Sequence, residues 1–195
     1  MVELLVYFFA AVILYINVYL LLKFIEYFYC AFIAKQPPNV TSSNAMKQKV
    51  LEQINTCYKN AKNICDIGSG YGSFTRFIAK NTKANVIGIE NMAFSAFVAK
   101  ILDVFCFGKV KTVKADAYEF LDKTNIVFDV AIAYLGPREV QKLKKYKNKI
   151  RVLICLDFEI KNIKPTRIID VGHGFTTFNH KKYPDKLFIY EFKSS

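Results

Sequence analysis

Cys65–Phe74, CDIGSGYGSF, sets glycines at positions 68, 70 and 72 behind a lone carboxylate at Asp66. The residues leading into it, KNICDIG, are β-forming and apolar, and residues 72–80 after it have helical spacing. Glycine at alternate positions between a strand and a helix points to a backbone that must take positive φ angles. It also lets main chain approach a ligand with no Cβ in the way. This strand–turn–helix unit decides how the remaining chain is read.

Working outward from it, short apolar runs alternate with helix-length segments. Residues 45–60 form a helix before the first strand, with Asn44 as its N-cap. NVIGIE is a second strand followed by a helix over 92–106, and KVKTVKAD a third followed by a short helix over 117–122. VFDVAIAY is a fourth with a helix over 138–147, IRVLICLD a fifth, and TRIIDVG and KLFIYEF close the series. The expected fold is α/β: a Rossmann-like, doubly wound, mostly parallel sheet of about six or seven strands with helices on both faces.

In such a sheet ligands bind beyond the carboxyl ends of the strands, where the strand order reverses. A phosphate loop and a dinucleotide fingerprint would both need glycine where Ser73 stands. Asp66-x-Gly68-x-Gly70-x-Gly72 suits a ligand that carries both an ammonium and a carboxylate. The acid lies near the cation, and N–H groups at the helix start face the anion. Glu90, ending the second strand, is placed to accept two ribose hydroxyls, and Asp116, ending the third, to accept from an adenine amino group. S-adenosylmethionine has that combination of groups.

CDIGSGYGSF, GIE and KADA resemble the class I S-adenosylmethionine-dependent methyltransferases over nearly all of residues 45–193. The layout also resembles, more narrowly, the membrane-anchored lysine methyltransferases that modify the ATP synthase c-subunit or the adenine nucleotide translocase, and their bacterial relatives. That likeness rests on an N-terminal apolar span, PPNVTSS, DIGSG, AYLGP and ICLDF. Tyr71 stands where those enzymes commonly carry a second acid. The resemblance implies a methyl donor held by Asp66, Gly68, Ser69, Gly70, Gly72, Glu90, Asp116 and Ala117, and a lysine acceptor on a membrane protein. Tyr134 and the carbonyls before Gly136 and Pro137 lie where an acceptor amine needs aiming, which makes Tyr134 the candidate catalytic residue. Thr41 and Ser42 are candidates for a lid over the donor.

Leu4–Leu22 runs without a formal charge, and the apolar character continues to Ala34. About 20 such residues cross a bilayer, and the start has none of the basic character of a secretory leader. The expected domains are an anchor over 1–34, a linker or lid over 35–44 and a methyltransferase domain over 45–195. Lys23, Lys35, Lys47 and Lys49 follow the span, which places the domain on the cytoplasmic side of a single-pass protein. The net charge is +12, and the bases lie almost wholly after the anchor, six of them in KLKKYKNKIR (142–151). Attraction to anionic lipid is the expected use of that charge; no zinc-finger or RNP-type motif accompanies it, so no nucleic-acid partner is expected. The five cysteines form no CxxC pair and only His173 and His180 are histidines, which argues against a disulfide framework or a metal site. Cys155 reads as a strand core residue.

Two further functions fit the same residues. One is methylation of a lipid or other small molecule, which the anchor suits equally. The other is a non-catalytic membrane module that binds the nucleoside without turnover. The pattern leaves the oligomeric state open.

Overall fold

The computed structural model describes residues 2–28, 42–106, 108–172 and 185–192. Thr41, nearly all of the 35–44 segment, Cys30 and both histidines lie outside the described residues. The chain divides into two compact units, Met1–Val40 and Thr41–Ser195.

In the first unit, α1 runs over Val2–Phe28, about 40 Å of helix against a hydrocarbon core of about 30 Å. Its Leu5–Ile25 stretch is long and apolar enough to cross a membrane. The side chains do not form a single apolar stripe: Leu5, Val6, Tyr7 and Phe8, four successive residues that go right round the helix, are all exposed. Asn17 donates its amide to the Ile13 carbonyl at 2.8 Å, so the one strongly polar side chain before Lys23 in that stretch is satisfied within the helix.

The second unit is a seven-stranded sheet. Its strands are β1 (Asn63–Ile67), β2 (Asn85–Glu90), β3 (Val110–Lys114), β4 (Phe128–Ala133), β5 (Ile150–Leu156), β6 (Arg167–Gly172) and β7 (Asp185–Glu191). The order is β3-β2-β1-β4-β5-β7-β6. The first five are parallel, and β7 runs antiparallel to both β5 and β6. The helices are α2 (Asn44–Cys57), α3 (Ser73–Asn81), α4 (Ala93–Asp103) and α5 (Ala117–Lys123).

Strand side chains alternate between two core layers. Ile64, Val130, Ile132 and Ile154 pack on one face with Met46, Val50 and Ile54 of α2 and Ile78 of α3. Cys65, Ile67, Ala131, Leu153 and Cys155 pack on the other with Leu121 and Leu143. Both faces are covered, which explains the unbroken apolar runs in the sequence. Met46, Val50 and Ile54 are 0–2% exposed, and each contributes roughly 1.5–3 kcal/mol by leaving water.

Three local expectations are corrected. The helix expected over 138–147 is a 3-10 segment at Val140–Tyr146. Its buried residues, Val140, Leu143 and Tyr146, recur every third position, which matches three residues per turn rather than 3.6. The helix expected over 92–106 stops at Asp103 and tightens into a 3-10 turn over Val104–Cys106. The cap of α2 is Ser43 rather than Asn44: the Ser43 hydroxyl accepts from the Met46 amide at 3.2 Å, and Asn44 is the first helical residue.

Candidate functional site

The strand order reverses between β1 and β4, and the glycine turn leaves β1 at that point. Gly68, Gly70 and Gly72 have φ of 77°, 55° and 71°, angles at which any other L-residue is strained. A Cβ on Gly68 would also stand 2.8 Å from Leu135 Cδ2. The turn therefore requires glycine for both conformation and space.

Two buried carboxylates frame it. Asp66 and Glu90 are each 5% exposed. Asp66 accepts from the Thr75 hydroxyl at 2.7 Å. Burial pushes its carboxyl up to about 6, against the Thr75 hydrogen bond, and the nearby Glu90 charge adds to the rise. Glu90 accepts from the Gly70 amide at 2.8 Å and the Met92 amide at 2.6 Å. Its carboxylate thus links the end of β2 to the middle of the glycine turn, while the Gly68 and Ser69 amides both donate to the Ile89 carbonyl.

Ser69 turns its hydroxyl inward. The Oγ is buried without a hydrogen-bond partner among the described residues, and it packs over Gly88, where an added Cβ would lie 2.8 Å away. Gly88 is therefore a glycine so that Ser69 and Thr75 can rest on β2. Asp116 is the N-cap of α5, its Oδ1 accepting from the Tyr118 amide at 2.9 Å and the Glu119 amide at 3.1 Å. Ala117 opens that helix, and the Ala115 amide ties the end of β3 to the Glu90 carbonyl at 3.0 Å. The donor-side residues expected from the sequence thus lie at the ends of three adjacent strands.

On the acceptor side, Tyr134 donates to Asp157 Oδ2 at 3.0 Å. Burial, then the Asp157 charge, raises its phenol well above the usual range. Asp157 sits at φ 65°, just past the end of β5, and its Oδ1 accepts from the Lys186 amide at 3.3 Å. Asp185, 2% exposed, is close enough for its charge to act on Tyr134. Gly136 and Pro137 supply carbonyls to the next segment: Gly136 accepts from the Val140 amide at 3.1 Å and Pro137 from Gln141 Nε2 at 3.1 Å. Ser42 is buried directly before the Ser43 cap.

Several residues that reasoning from sequence missed brace this arrangement. Arg76 donates to the Tyr71 carbonyl at 2.8 Å and pairs with Asp103 at 3.3 Å, holding the glycine turn from behind. Asp103 also accepts from the Thr112 amide at 3.0 Å and hydroxyl at 2.6 Å. Lys47, on α2, donates to the Ser73 hydroxyl at 3.3 Å; desolvation lowers its pKa, and Asp66 is near enough to offset part of that. None carries a motif signature, because each acts across elements distant in the chain.

The chemistry of this set fits a methyl donor of the sulfonium nucleoside type. Among the described residues, Asp66 and Glu90 are hydrogen-bonded to amides and a hydroxyl rather than to a cation. Anionic oxygens at the turn therefore remain available to an ammonium and to ribose hydroxyls.

A five-strand parallel core with this reversal and an antiparallel final strand inserted before β6 defines the class I methyltransferase fold. Solved structures share it. An RNA methyltransferase from Salinibacter ruber, in complex with S-adenosyl-L-homocysteine, is similar with a TM-score of 0.62 and 18% identity over 80% of this chain and 95% of that one. TrmK from M. capricolum, in complex with S-adenosyl-homocysteine, has a TM-score of 0.54 and 18% identity over 74% of this chain and 68% of its own. A putative O-methyltransferase from Klebsiella pneumoniae has a TM-score of 0.52 and 18% identity over 60% of this chain; the match spans 57% of that protein's length. No family model matches the sequence, and no curated protein matches it.

Proposed function

We propose that the chain is a membrane-anchored S-adenosylmethionine-dependent methyltransferase whose acceptor is a lysine side chain of a membrane protein. One observation carries the donor assignment: two buried carboxylates, Asp66 and Glu90, flank a turn of three left-handed glycines and, among the described residues, accept hydrogen bonds from amides and a hydroxyl rather than from a cation. The S-adenosylhomocysteine in the Salinibacter and M. capricolum structures supports the same donor. When bound, the donor supplies a methyl group carried on its sulfonium sulfur, which leaves as the neutral thioether.

Everything else is done by position and by water exclusion. Asp66 would hold the donor's ammonium, Glu90 its ribose hydroxyls, and Asp116 and Ala117 at the start of α5 its adenine. A lysine must arrive neutral, and at pH 7 roughly one in 2,500 is neutral at the unperturbed pKa. Tyr134, Asp157 and Asp185 form an acidic corner beside the ends of β4 and β5, in a protein of net charge +12. Burial beside the positive sulfonium would lower the amine's pKa so that its proton leaves to water, and the strand-four carbonyls before Gly136 and Pro137, with the Tyr134 hydroxyl, would aim its lone pair. The apolar α1 helix supports anchoring, with the lysines after it facing the cytoplasm.

An RNA acceptor is the second reading, favoured by the Salinibacter enzyme and by the basic surface. Incubating radiolabelled methyl donor with membranes and RNA from cells with and without the protein separates the readings. Label on lysine of a membrane protein supports the proposal. Label in RNA or extractable lipid overturns the acceptor assignment, and label in no fraction overturns catalysis.

A further inference from the structure

α4 and the 3-10 turn after it leave a large apolar surface uncovered. Phe94, Phe97 and Ile101 expose 46%, 62% and 51% of their surface, and Val104 and Phe105 of the turn 74% and 69%. The spacing puts Phe94, Phe97, Ile101 and Val104 on one side of the helix, opposite the buried Ala96 and Ala99 that rest on the sheet. The charges follow the same division. The one acid of α4, Asp103, points inward to Arg76 and Thr112. The outward charges on this segment and on the α4 side of β3, against which α4 packs, are Lys100, Lys109 and Lys114, all exposed; Lys111 alternates to the other face of the sheet.

An apolar face whose charged rim, among the described residues, is lysine has the composition of a helix that lies in a bilayer interface. Phenylalanine and isoleucine enter the acyl boundary, and the lysines meet anionic headgroups. A nucleic acid would match the lysines but leave the aromatic face in water. Residues 29–43 alone connect α1 to α2, so a chain inserted through α1 holds the second unit at high effective concentration beside the membrane.

We propose that the α4 face, Phe94, Phe97, Ile101, Val104 and Phe105 with its lysine rim, docks on the surface of an anionic bilayer and is a second membrane contact besides α1. The proposal rests on the anchoring reading above. It gives the active site an orientation, because Phe94 also meets the Tyr71 ring of the glycine turn edge-on at 6.4 Å. Docking would bring the donor turn close to the headgroups, at a height suited to an acceptor emerging from the membrane.

The chain contains no tryptophan, so a single substitution makes a clean optical probe. The full-length protein is reconstituted in phosphatidylcholine vesicles with and without phosphatidylserine, floated, and read with brominated lipid as quencher. Phe97→Trp reports the α4 face, and Ile168→Trp, 56% exposed before substitution on β6 at the opposite edge of the sheet, is the control. The expected result is a blue-shifted Phe97→Trp emission, quenched at least about twofold more than the control in phosphatidylserine vesicles. Lys100→Glu, Lys109→Glu and Lys114→Glu together should reduce that quenching while flotation persists. Floating protein with equal quenching at both probes overturns the docking alone. So does a blue shift without quenching, which would mean that protein, whether α1, a second copy or an acceptor, covers the face. Protein that fails to float overturns the anchoring and the docking together.

Discussion

The carboxylate of Glu90 holds the amide of Gly70 at 2.8 Å across twenty residues of chain. It thereby sets the distance between the end of β2 and the turn after β1. The same group is assigned to the donor's ribose, so turn geometry and donor affinity are coupled through one side chain. Glu90→Ala should weaken S-adenosylhomocysteine binding by about 10–100-fold, the effect of losing charge-assisted hydrogen bonds in a buried place. Isothermal titration measures it, and binding within about twofold of wild type would remove Glu90 from the site.

Asp66 gives the site a pH dependence. Its folded-state pKa is raised from 3.8 to about 6. The stabilisation from protonating it is present below about pH 4 and is lost as pH rises through about 6. At neutral pH the donor-free protein therefore carries a destabilising buried anion, which a bound ammonium relieves. Asp66→Asn should raise the melting temperature of the donor-free protein at pH 7.5, by up to about 2 kcal/mol in stability, and weaken donor binding at least tenfold. In the unsubstituted protein, donor affinity should fall by about tenfold per pH unit below 6. Flat affinity between pH 5 and 8 would contradict the assignment.

Gly88 and Ser69 form a second coupled pair. Ser69→Ala alone removes a hydroxyl that has no partner among the described residues and should change stability by less than about 0.5 kcal/mol. Gly88→Ala should cost about 1–3 kcal/mol, because its Cβ would meet Ser69 Oγ at 2.8 Å. Combined, the two substitutions should cost less than their sum, and denaturant melts of the four proteins in the cycle report the difference.

Tyr134→Phe separates the two halves of the site. It deletes the hydrogen bond to Asp157 and leaves the donor turn intact. Turnover should fall at least tenfold with the donor dissociation constant unchanged, a split that single-turnover assays and titration resolve. Equal turnover would assign Tyr134 to packing.

Asp103 lies behind the site and outside the chemistry. Asp103→Ala removes the carboxylate partner of Arg76, leaving it the Tyr71 carbonyl, and strands two Thr112 donors, at a cost of roughly 3 kcal/mol. Thermal melts should show that loss, and donor affinity measured well below the melting temperature should change far less.

The glycine turn, Glu90, Asp116 and the five parallel strands were legible in the sequence because each depends on local chemistry: a positive φ, an acid at a strand end, a run of β-branched residues. The segment after β4 was misread because its three buried residues fit a helix almost as well as the tighter 3-10 turn. The bracing by Arg76, Asp103 and Lys47 had no local signal. Each of those contacts joins elements far apart in the chain, and only the folded arrangement brings them together. The uncovered face of α4 escaped for another reason: AFSAFVAKILD is apolar on both sides, so the pattern gives no indication of which side meets the sheet.

The placement of β7 has a consequence for biogenesis. β6 pairs with β7 alone, and β7 occupies the slot between β6 and β5. On the ribosome β6 emerges first and has no strand to zip onto until β7 follows it out of the exit tunnel. The sheet therefore closes only when β7 pairs with β5 and brings β6 in on its far side, and a nascent chain stalled before that point would present the bare flank of β5 to chaperones.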